Sequence, residues 1–506
     1  MGLTQFVLES VASRRLRAME RAAADPGATQ EALLRDLLQS AANTEWGRQH
    51  GFAEMRDAAA YQKRVPLTTY EEMAPLWHRS FQGERDLAWP GHIKYFALSS
   101  GTTSGNKLLP VSHENLKSNK TSGLTVAALY LDLTRDRTFM KGKSLYLAGS
   151  APLREEGHSL IGDASGIMLK FTPRMAHRYR LPTPEISSIG NWPDKMKALV
   201  DTSIDEDVRL VSACPSWVVL LFEELEREAE RRHGKPVPIR ELWPNLNAVV
   251  HFGMAWQPYR AALDRFVGED MLHMETFSAS EGGMFAITDK AGDDGLRLLI
   301  DNGIYYEFIP FSEIESEQPT RRTLAEVEEG KVYELVLTTN AGLWSYRLGD
   351  LVRFTSLSPH RVTMVGRSKL NLNAFGEHVI IEEMEEAVVN ACRESGAECK
   401  EFTVLPVFPD ESRAKPYHRW LIEFRTPPEN LDDFGATVDR SIRKRNEDYD
   451  THRTHDFGLD PPSIETVTDG TFYRWMESRG KLGGQHKVPR VLKSPSEGEE
   501  LLALST

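Results

Sequence analysis

The spacing of apolar positions changes character several times along this chain. Leu3, Phe6, Val7 and Val11 recur at helical spacing, and a second helix is predicted over 32–41. Both lie in residues 1–45, which read as helices resting on the main body. From about residue 90 short apolar runs alternate with amphipathic stretches. Strands are predicted at 93–98, 144–148, 208–212 and 248–252, and helices at 113–132, 215–232 and 258–266. Such alternation predicts an α/β core with a largely parallel sheet.

The style changes at 295–365. Strand-like runs at 296–300, 305–309, 332–338, 351–354 and 362–365 follow one another with an acidic loop at 313–317, predicting a β-rich subdomain. After Gly366-Arg367 it changes again: a helix at 381–391, strands at 402–407 and 419–424, and a helix at 432–446. The expected fold class is therefore α/β. A large N-terminal domain over 1–368 combines parallel α/β sheet with the β-rich subdomain. A smaller, mobile α+β domain covers 369–506, with the hinge at 368–370. No internal repeat is present, and the polar tail from Lys493 is expected to fray.

Composition narrows the classes. Of 506 residues, 40% are hydrophobic and 27% charged, which suits a folded globular protein and argues against disorder. The net charge is −13 and no basic run is long enough to track a phosphate backbone, so nucleic acid is not an expected partner. The cluster Arg440, Arg443, Lys444 and Arg445 reads as the solvated face of a helix. Three cysteines cannot build a disulfide framework and fit a reducing compartment. No run of 18 apolar residues predicts a membrane span, and Arg14, Arg15 and Arg17 follow too short a segment for a signal peptide. Phe6 stands where N-myristoylation requires Ser or Thr. A cytoplasmic enzyme is expected.

Four motifs carry candidate chemistry. Ser99-Ser100-Gly101-Thr102-Thr103-Ser104-Gly105-Asn106-Lys107 follows a predicted strand, and its amides and hydroxyls suit an anion. It is not a Walker loop, because Asn106 replaces the second glycine and Leu108 follows the lysine. In Thr276-Phe277-Ser278-Ala279-Ser280-Glu281 a carboxylate among small loop residues suits magnesium shared with phosphate oxygens. In Trp344-Ser345-Tyr346-Arg347-Leu348-Gly349-Asp350 an aspartate after a glycine turn suits the two hydroxyls of a ribose. In Gly483-Gly484-Gln485-His486-Lys487-Val488-Pro489-Arg490 a glycine-flanked loop can present Lys487 to a distant site. Taken singly, each also fits a plainer role: a surface loop, a solvated glutamate, an aspartate capping its own turn, a surface lysine.

Together, in this order, the four motifs resemble the adenylate-forming superfamily, and more closely the Gretchen Hagen acyl acid–amido synthetases. Cys214-Pro215-Ser216-Trp217, Tyr305-Tyr306-Glu307-Phe308-Ile309-Pro310, Tyr333–Thr339 and Gly480–Arg490 add to that likeness, which covers nearly the whole chain. The resemblance implies an ATP-dependent enzyme that activates a carboxylic acid as its acyl-adenylate, releases pyrophosphate and transfers the acyl group to an amine, most simply an amino acid. ATP and Mg2+ are the implied cofactors, and a small-molecule acid and amine the implied partners.

The resemblance assigns Ser99, Ser100, Gly101, Thr102 and Thr103 to the ATP phosphates, and Gly253, Phe277 and Ser280 to the rest of the nucleotide. The family usually has Tyr where Phe277 stands. Glu281 would ligate magnesium, Asp350 the ribose, and Arg367 ribose or phosphate, while Lys487 would bridge the acyl carboxylate and the α-phosphate. Trp217, Met254, Met284 and Phe285 are candidates for the walls of the acid pocket, and core packing serves each equally well. Ser368-Lys369-Leu370-Asn371 departs from the wider superfamily, which often has acidic residues after the arginine, and Phe375-Gly376-Glu377-His378 differs from the plant enzymes and suggests a bacterial-type branch. An acid–thiol ligase and a lapsed nucleotide-binding protein are the rival readings. A serine hydrolase is disfavoured by the lack of a G-x-S-x-G elbow, and a zinc enzyme by the lack of H-E-x-x-H.

Overall fold

The computed structural model describes every residue except 1–2, 102–104, 148–152, 173, 254–255, 293–294, 368–371, 373–378, 408–414, 447–448, 451–452, 454–458, 482–486, 493 and 506. It falls into two compact units. The first comprises Met1–Ala255 with Glu269–Thr363, and the second Trp256–Gly268 with Met364–Thr506. A segment from the middle of the chain thus belongs with the C-terminal residues.

The first unit holds two sheets. The smaller has the order β2-β1-β5-β4 and is built from Tyr95–Gly101 (β1), Gly105–Val111 (β2), Arg154–Glu156 (β4) and Ser159–Asp163 (β5). The larger has eleven strands. Lys143–Tyr146 (β3), Arg180–Leu181 (β6), Val208–Ala213 (β7), Ala248–Phe252 (β8) and Leu272–Ala279 (β9) run parallel in the order β6-β3-β7-β8-β9. Their apolar runs, such as Ala248 to Val250, are buried on both faces, as parallel strands require.

Beyond β9 the sheet continues through Gly283–Ile287 (β10), Leu296–Leu298 (β11), His360–Arg367 (β15), Tyr346–Leu357 (β14), Val332–Thr339 (β13) and Ile304–Pro310 (β12). The strands within 295–365 are therefore an extension of the parallel sheet, hydrogen-bonded to it through β11 and β10.

The N-terminal helices Leu3–Ala24 and Pro26–Ala41 are fastened to this unit by buried polar contacts. Arg15 forms a fork on Asp301, at 2.5 and 2.8 Å. The Gln30 amide donates to the Ile300 and Ile304 carbonyls and accepts from the Tyr306 N–H. Trp77, Trp344, Tyr305 and Tyr346 lie in the core beneath them.

The second unit is a three-stranded sheet, Glu398–Val407 (β16), Tyr417–Thr426 (β17) and Ser463–Val467 (β18), with helices Ile381–Ser395 and Leu431–Arg445. Their apolar faces, including Met384, Val388, Trp420, Ile422 and Val438, close one core. Cys392 lies on the helix and Cys399 on β16, and no disulfide joins the cysteines. The predicted basic face of the second helix carries ion pairs: Arg440 with Glu394, Arg443 with Asp450, and Arg445 with Glu382. The tail does not fray after Lys493. Residues Pro495–Ala503 form a helix, and buried Leu501 anchors it in an apolar cluster with Trp475.

Candidate active site

The first motif is a hairpin. β1 pairs antiparallel with β2 from Tyr95↔Val111 to Gly101↔Gly105, so Ser99, Ser100 and Gly101 end one strand and Gly105 begins the next. Thr102 and Thr103 lie outside the described residues. The sequence reading missed β2, whose Gly-Asn-Lys start and Pro110 mask its strand character. The hairpin is braced by the helix Tyr70–Phe81, whose capping box joins Thr69 and Glu72. Leu108 N–H donates to the Tyr70 hydroxyl at 3.0 Å, and the Lys107 ammonium lies 5.3 Å from the Tyr70 ring centre.

The second motif, expected in a loop, is mostly strand. Thr276 to Ala279 complete β9, and Ser280 and Glu281 form the turn into β10. Gly283 makes that turn possible. Its φ is +99°, and a Cβ there would stand 1.9 Å from the Asn119 side-chain oxygen. Asn119 donates to Asn115 at 2.9 Å, and Asn115 to the Gly282 carbonyl at 3.4 Å. Both asparagines lie on the helix His113–Thr134, capped by the Ser112 hydroxyl. That hydroxyl also donates to the Asn340 carbonyl at 2.5 Å. The turn bearing Glu281 is thus held by a long, well-capped helix.

The third motif is also not a turn. Gly349 and Asp350 lie inside the continuous strand β14, at a bulge where Leu335 alone of β13, between Glu334 and Val336, faces three residues of β14, Leu348 to Asp350. Gly349 supplies the positive φ the bulge needs, at +82°. Asp350 is 2% exposed.

The start of β14 is locked by a buried network. Ser345 adopts φ +44°, unusual for a side-chain-bearing residue. Its hydroxyl contacts Glu307 at 3.0 Å and the Tyr61 hydroxyl at 2.9 Å, and its N–H donates to Thr338 at 2.9 Å. Arg321 forms a fork on the same Glu307, at 2.9 Å for both bonds. Thr68 adds backbone bonds to Ser345 and Arg347 on either side. None of Tyr61, Thr68, Glu307 and Arg321 carries a local signal of this role, although Glu307 lies within a motif that prompted the resemblance.

These elements meet at Tyr346. Burial first, then the charge of Glu281, followed by Glu71, Tyr70 and Asp350, holds its phenol far above the usual range. Glu281 and Asp350, 69 residues apart in sequence, therefore act on one ring. Trp77 lies between Tyr346 and Tyr70, with ring centres at 5.9 and 5.8 Å, and links this point to the hairpin.

The other expected residues distribute as follows. Gly253 follows β8 with φ +85°. Phe277 and Phe285 pack edge to face at 5.1 Å within one core cluster, and Met284 is half-buried beside another. Trp217 is buried against Trp192 at 4.7 Å. Met254 and the Arg367 side chain lie outside the described residues. Lys487 is half-buried in the second unit, just before an anchored stretch. There Thr403 donates to the Pro489 carbonyl, Val404 N–H to Arg490, and Leu492 N–H back to Val404. Arg490 sits between Glu385 and Glu401 and reaches the Tyr259 hydroxyl.

The two sheets of the first unit and the separate three-stranded sheet of the second match the fold of adenylate-forming enzymes. The solved structure of 2-hydroxyisobutyryl-CoA ligase with 2-HIB-AMP aligns with a TM-score of 0.61 at 13% identity, covering 95% of this chain and 93% of that one. The solved structure of the AtGH3.15 acyl acid amido synthetase in complex with 2,4-DB aligns better, with a TM-score of 0.81 at 20% identity over 98% of this chain and 96% of that one.

Family models match in three consecutive parts: the GH3 family N-terminal domain at 15–186, the central domain at 297–367 and the C-terminal domain at 382–496. The chain belongs to the GH3 family. Curated relatives include the indole-3-acetic acid-amido synthetase GH3.3 of Arabidopsis thaliana, 25% identical over 94% of this chain and 91% of its own length. The jasmonoyl–L-amino acid synthetase GH3.5 of Oryza sativa subsp. japonica is 24% identical over 95% of this chain and 94% of its own length. Among the described residues no helix is long and apolar enough to cross a membrane, and no group of three or more His, Cys, Asp or Glu is arranged to hold a metal.

Proposed function

We propose that this chain uses ATP to convert a carboxylic acid into its acyl-adenylate with release of pyrophosphate, and then transfers the acyl group to an amino acid to give an amide. The observation that carries this reading is the match of the three GH3 family models in consecutive order along the chain, in a family whose curated relatives are amido synthetases. Both steps are needed because a carboxylate is a poor electrophile and is anionic like the phosphate it attacks.

Ser99, Ser100, Gly101, Thr102 and Thr103 would donate to the phosphates. Gly253, Phe277 and Ser280 would border the nucleotide, with Asp350 and Arg367 toward the ribose. The fit of magnesium rests on chemistry at Tyr346: Glu281, Glu71 and Asp350 make this region anionic, which opposes a bare triphosphate. With no clustered protein ligand set among the described residues, Glu281 would share the ion with phosphate oxygens, the usual arrangement for magnesium. The ion supplies charge neutralisation there. Lys487 is assigned the second cationic role by the motif in which it lies, toward the acyl carboxylate and α-phosphate. Trp217, Met254, Met284 and Phe285 would bound the acid. The three unbridged cysteines suit a cytoplasmic setting.

The test is pyrophosphate release with ATP, magnesium and a panel of aromatic and alkyl acids, each with an amino-acid mixture or with coenzyme A. Amino-acid-dependent turnover with the matching amide in the mass spectrum is expected. Dependence on coenzyme A would move the protein to the thioester ligases. Lys487→Ala should lose most adenylation and keep conversion of a supplied acyl-adenylate to amide; equal loss of both half-reactions would refute its assigned role.

A further inference from the structure

Among the described residues six arginines are buried, Arg15, Arg209, Arg297, Arg361, Arg453 and Arg490, and each is paired with a carboxylate. This is the ordinary solution to burying a guanidinium. Arg180 breaks the pattern. It is half-buried on the edge strand β6, where it pairs in register with Ser144 of β3. Its partners are the Thr172 hydroxyl, at 3.3 Å, and the Tyr146 ring, whose centre lies 4.9 Å from the guanidinium carbon. Among the described residues no carboxylate forms an ion pair with it. Burial pulls its pKa down, opposed only by Tyr146.

The surroundings lie at the carboxyl ends of the parallel strands. Tyr146 is the last residue of β3 and Phe252 the last of β8, and their rings lie 5.5 Å apart. Cys214, just past β7, raises the Tyr146 pKa after burial does, so it is also close. Arg180 therefore stands by an aromatic wall at the carboxyl ends of three parallel strands, where open α/β sheets take their ligands. A guanidinium flat against a ring keeps its edge N–H groups available for a planar, bidentate anion.

We propose that Arg180 receives a carboxylate of one of the two organic substrates, one that stays ionised through the reaction. The carboxylate being adenylated becomes an uncharged acyl group, so it gains least from a fixed cation. The ligand is instead the α-carboxylate of the acceptor amino acid or a second carboxylate on the acid. The inference rests on the amide-synthetase reading for its substrates but not for its binding test.

The test compares wild type, Arg180→Lys and Arg180→Met after thermal melting has verified the fold. The acid arm measures pyrophosphate release with adipate against hexanoate, and the amine arm measures amide formation with alanine against alaninamide. In one arm wild type should favour the carboxylate-bearing compound by about 10- to 100-fold in KM, with Arg180→Met erasing the preference, kcat nearly kept, and Arg180→Lys intermediate. The responding arm identifies the source. Calorimetric titration of the same pairs without ATP gives an independent readout: discrimination by wild type lost in Arg180→Met supports the site even if no acid is turned over, an outcome that would count against the ligase reading alone. Equal KM and equal binding within about twofold across both pairs, in wild type and variants, overturns the proposal. Wild-type discrimination alone serves if Arg180→Met fails to fold.

Discussion

Replacing Arg490 by Met separates the anchoring of the Lys487 segment from its chemistry. Arg490 is 7% exposed, and every side of its guanidinium is engaged. Nε donates to Glu385 at 3.1 Å, Nη1 to Glu401 and to the Phe402 carbonyl at 3.0 Å, and Nη2 to Tyr259 at 3.4 Å. Removing one partner of a buried pair costs about 3–5 kcal/mol, because the other charge is left uncompensated. Two features set the value toward the lower end. Burial already raises the Glu385 pKa, so that carboxyl can take a proton once its cation is gone. Methionine also retains the apolar contact with Phe402, over which the guanidinium sits at 4.3 Å. The expected loss is about 3 kcal/mol by urea denaturation.

Adding Glu401→Gln to Arg490→Met should restore about 1–2 kcal/mol by deleting the stranded charge. Initial pyrophosphate release should fall in Arg490→Met even at temperatures well below unfolding, because Pro489–Leu492 loses its fixed end two residues beyond Lys487. A loss under about 1 kcal/mol, or a double variant no more stable than the single, would refute the reasoning.

Other expectations follow from the same contacts. Gly283→Ala combines left-handed strain of about 1–2 kcal/mol with displacement of Asn119 and its hydrogen bond, about 1 kcal/mol more; urea denaturation should show a loss of about 2–3 kcal/mol, of which Asn119→Ala in the same chain relieves the clash but not the strain. Asp350→Asn should raise the ATP dissociation constant about tenfold by calorimetry, and an unchanged constant would remove Asp350 from the nucleotide site. His251 is buried beside His273, with ring nitrogens 2.8 Å apart, and burial followed by the His273 charge holds its pKa well below 6.5. The unfolded chain therefore binds a proton below pH 6.5 that the native state refuses, so stability falls with pH in that window. Relative to His251→Gln, wild type should lose about 1 kcal/mol between pH 6.5 and 5.5.

What the sequence made legible depended on how local each determinant is. Val208 to Val211 and Ala248 to Val250 announce buried parallel strands because their own side chains fill both faces. The helix His113–Thr134 announces itself by Ser112 and the stretch that follows. The strands after residue 295 were also legible one by one, yet their membership in the larger sheet was not. That depends on the short pairing of Leu296 and Arg297 with Val362 and Arg361, which leaves no periodic trace. Gly349 illustrates a subtler limit: a glycine before an aspartate signals positive φ, and both a turn and a bulge satisfy that signal.

The supporting residues of the site were the least legible, and for a physical reason. A motif residue such as Glu281 is recognisable because small neighbours and a glycine turn accompany it in sequence. Its supports, Asn115 and Asn119, are more than 160 residues away, and the Glu307–Arg321–Ser345–Tyr61 network draws on three separate segments. Such groups are chosen by what they must satisfy, not by their neighbours in sequence. Arg180 and Arg490 look alike in sequence, each an arginine in a mixed segment. The difference between them, two carboxylates around one and none in ion-pair contact with the other among the described residues, exists only after folding. It marks one as a structural anchor and the other as a cation still available to a ligand.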